Sequence, residues 1–185
     1  MVLTTEKKLT LTEFLLMPET QPAAEFIHGE INYKSMPQGE HSRLQYILCL
    51  LINQVLEVQK IAIAFPELLC VFGGATIVPD IAIFRWERIP RNEIGKVANR
   101  FEIHPDWAIE ILSPDQSVAK VIQKLLLCIE NGTGLGWLLD AKDESILVID
   151  RDRRISQFHG HQLLPVPEGF SLELTPEQIF SRLIL

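Results

Sequence analysis

TIVPDIAIF (76–84) and DWAIEILSPD (106–115) each carry one acid inside an otherwise apolar run, Asp80 in the first and Glu110 in the second. Both runs read as buried strands, so each carboxylate must be paired, protonated or bound to a cation; alone and ionised in a low-dielectric interior it is too costly. Strand alternation puts Asp80 on a face with Val78 and Ala82, and Glu110 on a face with Ala108 and Leu112. If the strands are neighbours, the two carboxylates converge on one divalent cation, and hard oxygen donors of this kind suit magnesium or manganese. A lysine-bearing amphipathic helix follows the second strand. Two carboxylates and a lysine at the edge of a sheet are the parts of a metal-dependent phosphodiesterase.

Outward from these strands the pattern stays mixed. Thr10 or Thr12 caps a short helix stopped by Pro18, and alternation on both sides of His28-Gly29 predicts an N-terminal β-hairpin over 24–33. Leu44, Ile47, Leu48, Leu51, Val55 and Leu56 recur at helical spacing in a long core helix over 41–59. Strands are expected over 61–65 and 68–72, with Gly73-Gly74 turning the chain into the Asp80 strand. The Glu110 strand ends at Ser113-Pro114-Asp115, with Asp115 a loop or cap position. Val118, Val121, Ile122, Leu125 and Ile129 mark the next helix, which closes at Asn131-Gly132. Strands over 136–140, 145–149 and 155–158 follow, and Thr175, Pro176 and Gln178 open a terminal helix as a capping box. The order predicts an α/β sandwich around one mixed sheet.

At 185 residues, 47% of them hydrophobic, the chain can bury a real core, and without a linker it is expected to form a single domain over 1–185. The unpatterned stretch 87–99 has the length of an active-site loop. A net charge of −7 argues against a sequence-indifferent nucleic-acid binder, although Arg85, Arg88, Arg91, Lys96 and Arg100 form a local basic cluster, either lining a cleft or simply solvated. Cys49, Cys70 and Cys128 fit reduced core thiols, and His159-Gly160-His161 fits a surface strand end better than a metal pair. The first eight residues lack a secretory apolar core, and no apolar run reaches the roughly 18 residues of a bilayer span. A cytoplasmic protein without a membrane partner is expected.

The motifs taken together resemble a known family. VPDIAIF, then DWAIEILSPD, then QKLLLCIENG (123–132) and LGWLLD (135–140) resemble, in order and spacing, the Uma-two family of restriction-endonuclease-like proteins within the PD-(D/E)xK nuclease superfamily. EFIHGE (25–30), His41-Ser42 and the segment from GFSL (169–172) to Phe180 match the family's hairpin, first core helix and ending. The resemblance implies a restriction-endonuclease-like α/β fold, a mixed sheet flanked by helices, and a divalent-metal-dependent endonuclease acting on DNA. A homodimer is compatible with two cuts in a duplex. The rival reading is a non-catalytic binding or assembly module that keeps the nuclease fold.

Carried over by position, Asp80 is the acid of the Pro-Asp motif and Glu110 the second acid, so both are expected metal ligands and, with Lys124, catalytic residues. The position two after Glu110 is Leu112, not the lysine of the superfamily's simplest pattern; Lys124 on the following helix takes that place. Lys120 stands where relatives carry an acid, and Cys128 where a tyrosine is common. Lys124 would orient or deprotonate the attacking water or neutralise the phosphate, and Glu25, His41 and Glu67 are expected as accessory ligands or supporting partners. Lys124→Met is expected to abolish cleavage at little cost in stability.

Overall fold

The computed structural model describes residues 9–114 and 116–185; the first eight residues, expected to lack a secretory core, and Asp115, expected as a cap position, lie outside the described residues. Helix α1 (Leu11–Leu15) is closed by a reciprocal Thr10–Glu13 capping box. Strands β1 (Ala24–Ile27) and β2 (Glu30–Tyr33) form the expected hairpin, its turn carried by His28 and Gly29 with positive φ. Helix α2 (Gly39–Leu56) follows, then β3 (Ala62–Pro66), β4 (Cys70–Phe72), β5 (Ala75–Ile77), β6 (Ile81–Arg85) and β7 (Trp107–Ile111). Helix α3 (Val118–Glu130), β8 (Leu135–Asp140), β9 (Ser145–Ile149), β10 (Ile155–His159) and α4 (Pro176–Phe180) complete the order.

The strands make two sheets, not the one expected. A four-stranded antiparallel sheet has the order β2-β1-β5-β4, and a six-stranded mixed sheet has the order β10-β9-β8-β7-β6-β3. The reading of 76–84 as one strand is corrected accordingly, since β5 lies in the first sheet and β6 in the second, with Val78, Pro79 and Asp80 crossing between them. Pro79 has no N–H for a ladder, and the Val78 N–H donates to the Glu25 carboxylate, 2.7 Å away, instead of to a strand. In the six-stranded sheet only β7 and β8 run parallel, and α3 supplies the crossover that such a pair requires.

Alternation divides the core between the two faces of this sheet. Ile81, Ile83, Trp107, Ile109, Trp137 and Leu139 pack against Leu44, Leu48 and Ile52 of α2 and against the C-terminal segment through Phe170, Leu174 and Phe180. On the other face Ala108 and Leu138 meet Val121, Leu125 and Cys128 of α3. Small residues let α3 come close: Ala108 pairs with Gly136 across β7 and β8, and a Cβ placed on Gly136 would stand 3.3 Å from Leu125 Cδ2. Among the described residues no helix is long and apolar enough to cross a membrane.

Gly136→Val should therefore push α3 outward and cost about 2 kcal/mol of unfolding free energy in urea titrations. Gly39→Ala, at the open first turn of α2 with no atom within 4 Å of the new Cβ, should be neutral or stabilising by about 0.5 kcal/mol in the same measurement.

Candidate active site

The crossing from β5 to β6 exposes backbone groups that no ladder satisfies, and side chains from β1, α2, α3 and the residue after β2 converge on them. The Val78 carbonyl accepts from two ammonium groups, Lys34 Nζ at 3.0 Å and Lys124 Nζ at 3.1 Å. The Asp80 carbonyl accepts from Gln45 Nε2 at 2.8 Å and from the Glu67 N–H at 3.1 Å. Register sets the acids side by side: Ile81 pairs with Ile109 and Ala82 with Ala108 across the antiparallel β6–β7 pair, which continues to Asp80 beside Glu110 on the α3 face.

Each carboxylate has a cation. Asp80 Oδ1 lies 2.6 Å from Lys34 Nζ and 3.3 Å from His41 Nε2, while Oδ2 accepts from the Ile111 N–H at 2.7 Å. Lys124 Nζ lies 2.8 Å from Glu110 Oε1 and 2.5 Å from Glu25 Oε1. The three acids are between 2% and 6% exposed, so these pairs are screened little by solvent. Burial works to raise the Asp80 carboxyl, but the His41 hydrogen bond and the charges of Lys34, His41 and Lys124 hold it well below the usual carboxylate range. Burial pushes the Glu110 carboxyl up to about 7, with Lys124 pulling the other way. Burial disfavours the Lys124 ammonium, yet Glu110, Glu25 and Asp80 together raise its affinity for the proton.

A groove of about 800 Å³ runs between the hairpin and α3, bordered by His28, Asn32, Tyr33, Gln116 and Lys120, and it reaches Glu110 and Lys124. Among the described residues no group of three or more His, Cys, Asp or Glu side chains is placed to hold a metal ion.

The described family of “Putative restriction endonuclease” chains matches residues 11–177. The chain belongs to the Uma2 family. The crystal structure of “a putative nuclease belonging to DUF820 from Anabaena variabilis ATCC 29413” is similar at a TM-score of 0.92 and 48% identity, covering 95% of this chain and 99% of that one. No curated protein matches the chain. The mixed α/β sheet flanked by helices is the restriction-endonuclease-like fold of these Uma2 relatives.

In this Uma2 chain Lys124 pairs with Glu110 and with Glu25 of β1, Asp80 pairs with Lys34 and with His41 of the first turn of α2, and the two groups join at the Val78 carbonyl that both lysines reach. Glu67 stands at the edge, its side chain 45% exposed and 3.9 Å from Lys34. Lys34 and Gln45 were not foreseen, although both follow simple spacings. The pairing Glu25↔Asn32 puts Lys34, two residues on, on the Glu25 face, and Gln45 lies one helical turn after His41.

Arg85, Arg88 and Arg91 of the basic cluster are engaged away from Asp80 and Glu110, while Arg100 shares a cavity with Glu67 and Val78. Arg85 lies five residues beyond Asp80, roughly 16 Å along the strand at about 3.3 Å per residue. There Arg85 and Arg88 pair with Asp106, and Arg88 Nη2 donates to the His104 carbonyl at 3.0 Å. Arg91 donates to the Trp86 carbonyl and lies over its ring, and Arg100 is 3.9 Å from Glu102. His161 pairs with Glu177. The cysteines are free, and burial pushes the Cys49 and Cys70 thiols up to about 11 and about 12.

This geometry revises the expectation for Lys124→Met, because the variant leaves Glu25 and Glu110 buried without their cation. A loss of about 3 kcal/mol is expected near pH 8. The sign of its pH dependence follows from Glu110: without Lys124 the folded carboxyl rises still further above its unfolded value, so the penalty is present when it is ionised and is relieved as it takes up a proton. Urea unfolding should show the gap between wild type and Lys124→Met shrinking as pH falls from about 8 to about 5.

Proposed function

We propose that the protein is a divalent-metal-dependent endonuclease that hydrolyses phosphodiester bonds in DNA. The supporting observation is Lys124, set between Glu110 and the Val78 carbonyl at the sheet crossing that carries Asp80, with Glu110 and Lys124 lining a groove. The donor chemistry fits magnesium or manganese: such a cation uses one or two carboxylates and keeps several waters, so Asp80 and Glu110 suffice without a third protein ligand. When bound, the cation polarises a phosphoryl oxygen and offsets the charge that develops there.

The chain's own groups divide the remaining work. Glu110, at the groove, would hold the cation together with Asp80, whose carboxylate is oriented by the Ile111 N–H and His41. Lys124, fixed between Glu25 and Glu110, presents its ammonium to the phosphate and to the water that attacks it. Its pairing with two carboxylates keeps it charged, which favours the role of orienting the water and neutralising the phosphate over that of a base. Lys120, one turn earlier on the groove rim, is placed for a neighbouring phosphate. A two-fold dimer would supply one such site for each strand of a duplex.

One observation favours the non-catalytic binding or assembly module: Lys34 and Lys124 already neutralise the buried acids from within the chain. Supercoiled plasmid and single-stranded DNA incubated with magnesium or manganese separate the two readings. Cleavage by the wild type should fall at least about 100-fold in Lys124→Met, assayed well below its melting temperature, and less than about tenfold in Lys120→Met. A folded wild type that leaves both DNAs intact with either metal establishes the module reading instead.

A further inference from the structure

Lys34 lies between two carboxylates of opposite character. Its ammonium is 2.6 Å from Asp80 Oδ1, which is buried, and 3.9 Å from Glu67 Oε1, on a side chain 45% exposed. Glu67 is fixed there by its backbone: φ is +47, a left-handed conformation uncommon outside glycine, and its N–H donates to the Asp80 carbonyl at 3.1 Å. One carboxylate is thus anchored beside the residue whose own carboxylate Lys34 neutralises.

We propose that Lys34 is a resident counter-cation that competes with the divalent metal for Asp80, and that Glu67 receives its ammonium when the metal binds. The inference rests on the reading of Asp80 as a metal-holding carboxylate. Charge decides the direction. Glu25, Asp80 and Glu110 are opposed by Lys34 and Lys124, three carboxylates against two ammonium groups, so a dication added to the intact cluster leaves it net positive. Like charges a few ångströms apart in a poorly solvated site repel strongly. Moving the Lys34 ammonium toward half-exposed Glu67 takes one positive charge to a place where water screens it. Glu67 then acts on the metal through Lys34, as a positioning residue and not as a ligand.

Manganese titration of the full chain, followed by calorimetry or by the electron spin resonance of free Mn²⁺, tests the exchange, with circular dichroism to establish folding. Lys34→Met should lower the manganese Kd at least about tenfold, and Lys34→Gln should act in the same direction. Glu67→Gln should raise the Kd about threefold, and should have no effect once Lys34 is already Met, since the two residues act as one unit. Glu67→Gln is a half-exposed change that keeps the fold, so an unaltered manganese affinity in that variant alone overturns the exchange. Equal weakening by Glu67→Gln with and without Lys34 makes Glu67 a ligand and also overturns it. A wild type that binds manganese no more weakly than both Lys34 variants overturns the competition while leaving the metal reading intact. Failure of wild type and Lys34→Met alike to bind manganese overturns the metal reading, and this inference with it.

Discussion

The Val78 carbonyl, shared by the ammonium groups of Lys34 and Lys124, is the point on which the site is built. A chain that leaves one sheet at Ile77 and enters another at Ile81 must find partners for the peptide groups between them. Proline at 79 removes one donor, Glu25 takes the Val78 N–H, and the Val78 and Asp80 carbonyls are met by lysine, glutamine and the Glu67 N–H. Cations are thereby drawn into the interior for a backbone reason. Once there they require carboxylates, and Glu25, Asp80 and Glu110 supply them.

Such a cluster is a poor device for stability alone. Apolar residues of similar volume would fill the same space without the desolvation cost of five charged groups. Groups held at perturbed proton affinities beside a groove are instead what chemistry requires, and the Uma2 relationship, at 48% identity to a solved relative over nearly the whole chain, places the cluster in a nuclease-like fold. The far end of the sheet makes a useful contrast. Arg85, Arg88 and Asp106 also form a charged group there, but it ties β6 to the start of β7 through hydrogen bonds to main-chain groups.

Asp80 and Glu110 were legible because each interrupts an apolar run, and the hairpin, the two long helices and the strands after β7 were legible from periodicity. The break at Val78-Pro79-Asp80 was not, since both halves are apolar and only the proline hinted that one run served two sheets. Lys34 was hidden for a different reason. It stands in the polar stretch NYKSMPQGE (32–40), where a lysine is ordinarily solvated, and only the register of the hairpin turns it toward Asp80. Gln45 was masked by its apolar neighbours on α2, whose spacing declares the core face and says nothing of a polar one. The arginines of 85–100, which the sequence left open between a cleft and a solvated face, pair with Asp106, the Trp86 carbonyl and Glu102.

Two peptide N–H groups end on side chains of the cluster, Val78 on Glu25 and Ile111 on Asp80. Their protons sit at the interface between scaffold and charge. In a nuclear magnetic resonance spectrum these amides report on the carboxylates directly, because a change of partner at Glu25 or Asp80 alters the field at a backbone proton without any strand having to move. The break between the sheets thus gives the protein a pair of built-in probes, carried by ordinary peptide bonds and needing no label in the groove.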